Sequence, residues 1–371
     1  MGENSKIQWC DHTFNPWRGC TKVAAGCANC YAEAQSKRNT ATLGVWGPNG
    51  TRVVAAEAAW RQVERWERDA KMREESYQIA AMTCRGEYDL VEPCYPPAIF
   101  CGSMCDVFED WPGEVRDSRG RVVNPRTWRP IESEGPAPAT IGDARQRLFR
   151  TIDATPNLTW LLLTKRTENV GLLWLPRDLG ERSEGISEGD YGYHQVANHA
   201  YRRDNVYLGT SIACQEDAER NIPELLKCRD LCRGVFLSIE PLIGPVDLTT
   251  TCLHVSRETY GLGGAYMSPP HAGVDQVIVG GESGPNARPC RVEWVRSIVR
   301  QCQAAGVPCF VKQLGANPVG LRFSIDDNGS PFCIEGDCFR GGEKPLDKKG
   351  GDPAEWPEDL RVRRLAWKGG A

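Results

Sequence analysis

The sequence predicts an α/β fold, a partial or nearly closed (β/α) TIM-type barrel with loop insertions and a C-terminal extension. Two observations predict it. Seven short apolar runs alternate with stretches of helical periodicity, the pattern of parallel strands joined by crossover helices. A polar or charged residue follows nearly every run: Asp106, Lys165, Arg166, Ser211, Glu240, Glu282, Lys312 and Gln313. In a (β/α) barrel such positions converge on the face where chemistry is done. The barrel is expected over 1–315, with insertions at about 40–95, 111–140, 178–200 and 244–273, and the extension over 316–371.

The elements follow in order. Trp9 to Trp17 is a short apolar-aromatic strand leading into a cysteine-bearing loop, and Tyr31 to Arg38 starts the next helix. Thr40 to Arg52 is a Gly- and Asn-rich loop. Val53 to Ile79 reads as a helix, with Trp60, Val63, Trp66 and Ala70 on one packing stripe. Pro96 to Cys101 is the second strand, closed by Gly102-Ser103-Met104-Cys105-Asp106. Residues 111–140, rich in Pro, Gly, Arg and Glu, form an insertion before a helix over Ile141 to Asp153. Leu158 to Leu163 is the third strand, Asn205 to Gly209 the fourth, and Glu216 to Leu231 the helix that follows. Gly234 to Ile239 and Gln276 to Val279 are the fifth and sixth strands. A helix over Val292 to Ala305 precedes the seventh, Pro308 to Val311.

Composition excludes several classes. The charge balance of 45 basic against 49 acidic residues, net −4, demands no polyanionic partner, although a local basic face can coexist with it. Seventeen cysteines behind the polar start Met1-Gly2-Glu3-Asn4-Ser5-Lys6 argue against a secreted disulfide scaffold. No run approaches the ~18 apolar residues of a membrane span. A soluble cytoplasmic protein with free or metal-bound thiols is the expectation.

Cys20, Cys27 and Cys30 carry the chemistry. Their spacing is Cys-x6-Cys-x2-Cys, with Gly19 and Gly26 before the first two. A Cys-x2-Cys pair brings two sulfurs to one side of a tight turn. Three ligands leave one coordination position open, so the functional reading is a [4Fe–4S] cluster whose fourth iron binds S-adenosylmethionine. Two readings compete with it: a zinc knuckle recruiting Cys10 or His12 as fourth ligand, and buried thiols without function. Cys228 and Cys232, read at i, i+4 of one helix, and Cys333 and Cys338 in the tail could form a second metal site.

Lys6-Ile7-Gln8-Trp9 through Cys30-Tyr31-Ala32-Glu33 resembles the opening of a bacteriophage and prophage family with a three-cysteine motif. The likeness recurs at Val279-Gly-Gly-Glu-Ser-Gly-Pro-Asn-Ala-Arg-Pro289, at Phe310-Val-Lys-Gln-Leu-Gly315, and from Lys349-Gly-Gly-Asp-Pro353 to Arg363. That family looks like a divergent branch of the radical SAM superfamily, related to the spore photoproduct lyase type. The common superfamily signature is Cys-x3-Cys-x2-Cys, and the first gap here is wider.

The resemblance implies a barrel of the radical SAM kind, with Cys20, Cys27 and Cys30 holding the cluster. S-adenosylmethionine cleavage would give a 5′-deoxyadenosyl radical that abstracts hydrogen, with a flavodoxin or ferredoxin as electron donor. Gly102, Ser103 and Asp106 occupy the place of the stretch that meets the cofactor's amino group. Lys165 is the candidate for its carboxylate, with Ser211, Glu240, Gly280 and Gly281 as further cofactor contacts. Cys101 and Cys105 are candidate hydrogen donors, though core packing competes. Glu282 could hold a ribose hydroxyl or substrate, and Lys312 stands with it as a catalytic candidate. The resemblance also implies DNA as partner, in the cytoplasm of a host cell, with isomerisation of an amino-acid adduct on a modified thymine during hypermodification. Such a base would have to be flipped out of the duplex. Arg145, Arg147, Arg150, Lys165-Arg166, Arg202-Arg203 and Arg361 to Arg364 are candidate phosphate contacts, with solvated faces as the competing reading. Repair or other modification of nucleic acid is the alternative activity, and a zinc-stabilised phage binding module the alternative class.

Overall fold

Runs of consecutive buried residues build the main sheet. The computed structural model describes residues 2–83, 93–132, 136–175, 201–249, 273–325, 331–335 and 347–369. Its strands are β1 (His12–Phe14), β2 (Ala98–Cys101), β3 (Thr159–Thr164), β4 (Arg203–Ser211), β5 (Cys232–Ile239), β6 (Gln276–Gly280) and β7 (Cys309–Gln313). They form one seven-stranded parallel sheet whose spatial order is their order in the chain. Every residue of β2 and β6 is buried, as expected of parallel strands covered on both faces. Register pairs His12 with Ile99, Ala98 with Thr159, Phe236 with Gln276 and Cys309 with Val277. The sheet is curled as a half-barrel, and its sequential parallel order is compatible with a partial (β/α) barrel.

The two outer strands are capped. Thr13 of β1 exchanges backbone bonds with Gly2. On β7, the amide of Val311 donates to Val362 and the carbonyl of Cys309 accepts from Arg364. The tail thus covers a sheet edge that would otherwise present unpaired groups.

The principal helices are α1 (Tyr31–Arg38), α2 (Glu57–Thr83), α3 (Ile141–Asp153), α4 (Gln215–Lys227) and α5 (Val292–Ala305). α3 opens on a capping box between Thr140 and Asp143, and α5 stops at Gly306, whose φ is +69°. Trp60, Val63, Trp66 and Ala70 are the buried residues of α2, so its tryptophans are packing residues.

Four expectations need correction. Arg52–Val54 is a strand and not the start of α2, because Val53 and Val54 pair with Trp17–Arg18 and Val53 also with Arg116 of Val115–Arg116 in a three-stranded sheet. The apolar segment Trp9 to Trp17 divides, since only His12–Phe14 joins the main sheet. The insertion over 111–140 carries a strand and bridges, not loop alone. Cys228 caps the end of α4 while Cys232 opens β5, so they do not share one helix. The loops expected over 178–200 and most of 244–273, and Cys338, lie outside the described residues.

The chain divides into two compact units. The first comprises Met1–Lys22, Ala32–Tyr207 and Asp230–Arg233; the second comprises Val23–Tyr31, Leu208–Arg229 and Gly234–Ala371. No described helix is long and apolar enough to cross a membrane.

Candidate functional site

In the first unit, Cys20 is held by a buried ionic network. Gly19 has φ +114°, and a Cβ there would stand 2.4 Å from the Thr51 carbonyl oxygen, so the approach to Cys20 requires glycine. Arg52 Nε and Nη2 each donate to Glu109 at 2.8 Å, and the Thr21 amide donates to the same carboxylate at 2.9 Å. Arg166 joins them. Its Nη1 reaches Asp106 at 2.8 Å and the Cys20 sulfur at 3.6 Å, while Nη2 donates to the Thr21 carbonyl at 2.7 Å. Burial, with the Asp106 and Glu109 charges, pushes the Cys20 thiol up to about 12, against the pull of Arg166. The thiol is therefore protonated near neutral pH, with the Arg166 guanidinium beside its sulfur.

The turn after β2 is tied to the same loop. Asn15 donates to Ser103 Oγ at 2.9 Å and accepts from the Met104 amide at 2.7 Å. Gly102 takes φ +98°, and Gly19 donates its amide to Met104 at 3.0 Å. Both oxygens of Asp106 are engaged, Oδ1 by Thr164 and Phe108, Oδ2 by Lys165 and Arg166. Asp106 and Ser103 thus brace the cysteine loop within this unit. Cys101 and Cys105, the candidate hydrogen donors, are both buried, and burial raises both thiols. Cys105 packs with Trp17, Val54, Val115 and Ala144.

In the second unit, Ala25–Cys27 forms a single 3-10 turn, followed by a backbone bond from Cys30 to Cys27. Gly26 lies against Ala213 and Pro241, at the ends of β4 and β5. Asn29, between the two cysteines, donates to Glu282 at 3.0 Å and to the Asn286 carbonyl at 2.9 Å. Arg288 grips Glu282 with Nε and Nη2 at 2.9 and 2.7 Å and donates Nη1 to the Ala25 carbonyl at 2.9 Å. Burial alone would raise the Glu282 carboxyl, but the bonds from Arg288 and Asn29 outweigh it and hold it below its ordinary value. Sequence reasoning missed Asn29 and Arg288 as partners, although both stand in the quoted motifs.

Beside this turn, Lys312 Nζ pairs with Glu240 at 2.9 Å, and Ser211 and Ser238 bond to the carbonyl and carboxylate of Glu240 at 3.3 and 3.4 Å. These four residues stand at the ends of β4, β5 and β7. A Cβ on Gly280 would come within 3.0 Å of the Glu240 carboxylate. A Cβ on Gly281 would stand 2.2 Å from the Leu314 carbonyl oxygen, so this glycine admits the chain's own backbone and not a ligand. Gly281→Ala is expected to cost about 1–3 kcal/mol, read as a lowered urea midpoint; an unchanged midpoint would contradict the packing.

The basic segments are largely occupied. Arg145 donates to two backbone carbonyls, Arg147 pairs with Glu57, and Arg203 pairs with Asp153 while nearly fully buried. Arg202 pairs with Asp204, Arg361 donates to the Trp356 carbonyl, and Arg363 lies over Phe310. The proposed fourth zinc ligands are occupied too. Cys10 is buried and donates to the Ile7 carbonyl, and His12 stacks on Trp66 at 4.2 Å with Nδ1 accepting from Asn4. Cys20, Cys27 and Cys30 are each partly exposed and outside any disulfide. Among the described residues, no three His, Cys, Asp or Glu side chains form a ready metal-binding group.

No curated protein and no solved structure matches the chain. A family profile matches residues 4–123 and 139–337, well over half of the length, and the chain therefore belongs to the family described as "Protein of unknown function (DUF5131)".

Proposed function

We propose that this chain is a radical S-adenosylmethionine enzyme, with Cys20, Cys27 and Cys30 holding a [4Fe–4S] cluster in a partial TIM-type barrel of the radical SAM kind. The observation that carries the reading is the state of the cysteine loop. Its three cysteines are partly exposed residues outside any disulfide, and a guanidinium braces each part of it, Arg166 at Cys20 and Arg288 at Ala25. Cations beside thiolates suit an anionic iron–sulfur centre, whose potential responds to charge and to hydrogen bonds on sulfur. The occupied states of Cys10 and His12 favour three protein ligands over four.

When bound, the cluster and S-adenosylmethionine supply a 5′-deoxyadenosyl radical, the hard chemistry that protein side chains lack. The chain's own part is to bind and orient. Asp106 and Glu109 fix Arg166 on the Cys20 side, and Glu282 fixes Arg288 on the Cys27 side. Glu240 and Lys312, with the buried Ser211 beside them, offer a partly exposed ion pair at the strand ends, suited to the cofactor or the substrate.

The substrate reading is an amino-acid adduct on a modified thymine of DNA, rearranged without change of mass, with a flavodoxin-type or ferredoxin-type donor supplying the electron. It rests on the resemblance of the quoted motifs. Of the arginines expected to hold phosphates, Arg145, Arg166 and Arg203 are buried braces, whereas Arg150, Arg361 and Arg364 are exposed. The test incubates reduced, cluster-loaded protein with S-adenosylmethionine and DNA bearing such an adduct, then digests the DNA. A nucleoside of equal mass and altered retention, with 5′-deoxyadenosine formed, is the expected result. Unchanged nucleosides beside abundant 5′-deoxyadenosine would overturn the substrate.

A further inference from the structure

Glu282 ends the Gly-Gly-Glu run that reads as a ligand site, yet both of its oxygens are taken by this chain. Oε1 accepts from Arg288 Nη2 at 2.7 Å. Oε2 accepts from Arg288 Nε at 2.9 Å, from the Arg288 amide at 2.8 Å and from Asn29 at 3.0 Å. A carboxylate so engaged has little capacity left for a ribose or a substrate hydroxyl.

The arrangement is directional. Glu282 is anchored by backbone, its carbonyl accepting from Ala316 at 2.8 Å, and the neighbouring Gly281 exchanges bonds with Gln313 at 3.0 and 2.8 Å. Those bonds fix it to the end of β7 without any help from its side chain. The side chain faces the other way, toward the cysteine turn. One arm reaches Asn29, which lies between Cys27 and Cys30; the other reaches Arg288, whose Nη1 continues to the Ala25 carbonyl at 2.9 Å. Gly284, at φ +107°, bends the intervening chain so that Arg288 can return to Glu282.

We infer that Glu282 and Arg288 form a clamp that positions the Cys27-x2-Cys30 turn on the ends of β6 and β7, so that both sulfurs are presented to one metal centre. The pair acts through the turn and not on the substrate. This rests on the iron–sulfur reading above. Arg suits the role because its planar fork spans both carboxylate oxygens and still has a donor for the backbone, which a lysine cannot do.

The test compares Arg288→Ala, Arg288→Lys and Asn29→Ala with the parent after anaerobic reconstitution with iron and sulfide. Two readouts are taken: the rate at which a chelator extracts iron, and the electron paramagnetic resonance spectrum of the reduced cluster. Outer-shell partners of metal ligands typically contribute about 10–100-fold to affinity. Arg288→Ala should release iron about tenfold faster or more, with a changed spectrum, and Arg288→Lys should fall between it and the parent. Arg229→Ala is the structural control, because Arg229 forms a similar fork with Asp275 at 2.7 and 2.8 Å in the same unit. It should lower the unfolding midpoint and leave both cluster readouts unmoved. Parent-like extraction and spectrum in both Arg288 variants would overturn the clamp while leaving the cluster intact. A parent chain that takes up no iron and sulfide would overturn the reading beneath it, and the clamp with it.

Discussion

Glu109→Ala is expected to destabilise the chain by about 3–5 kcal/mol, the usual cost of removing one partner from a buried ion pair. Glu109 is 2% exposed and Arg52 fully buried, and the carboxylate accepts from Arg52, Arg166 and the Thr21 amide. Without it, Arg52 keeps the Gly47 and Thr51 carbonyls, the Thr21 hydroxyl and the face of the Trp111 ring at 4.7 Å, none of which carries a compensating full charge. Arg166 retains Asp106, so the damage centres on Arg52 and on the residue after Cys20. Glu109→Gln should cost less, since shape and one acceptor remain. Urea unfolding under reducing conditions reads the effect, and a loss below about 1 kcal/mol would show that the network is solvated and unimportant.

Cys27→Ala is expected to abolish cluster binding. Three thiolates are the whole protein ligand set in this account, and two cannot anchor a cluster whose remaining iron must stay open. Iron, sulfide and the broad visible absorption should all be lost after reconstitution, while the fold is kept. Cys10→Ala should retain all three, because its sulfur is buried against the Ile7 carbonyl. Full iron and sulfide in the Cys27 variant would refute the ligand assignment, and loss of metal in the Cys10 variant would favour zinc.

The fold was legible where the signal is local. Apolar runs placed all seven main strands, and the helices expected over Ile141–Asp153 and Val292–Ala305 became α3 and α5 with those bounds. Arg52–Val54 was misread because its identity as a strand depends on partners at Trp17 and Val115, remote in sequence. The site divides in the same way. The cysteine spacing is visible in the chain, but the role of Asp106 is not. A carboxylate after a strand looks open to a ligand until Thr164 and Arg166 are found bonded to it. The Arg52–Glu109 pair has no local signature at all. Glu282 and Arg288 lie six residues apart in a Gly- and Pro-containing loop, so opposite charges across that turn were the signal available.

An open-iron cluster on Cys20, Cys27 and Cys30 is what the proposed radical chemistry requires. The most direct test is electron paramagnetic resonance of the anaerobically reconstituted, reduced chain, recorded before and after S-adenosylmethionine is added. The expected result is the spectrum of a reduced [4Fe–4S] cluster that changes when the cofactor binds its fourth iron. A colourless, silent protein, or a cluster spectrum that the cofactor leaves unaltered, would contradict it.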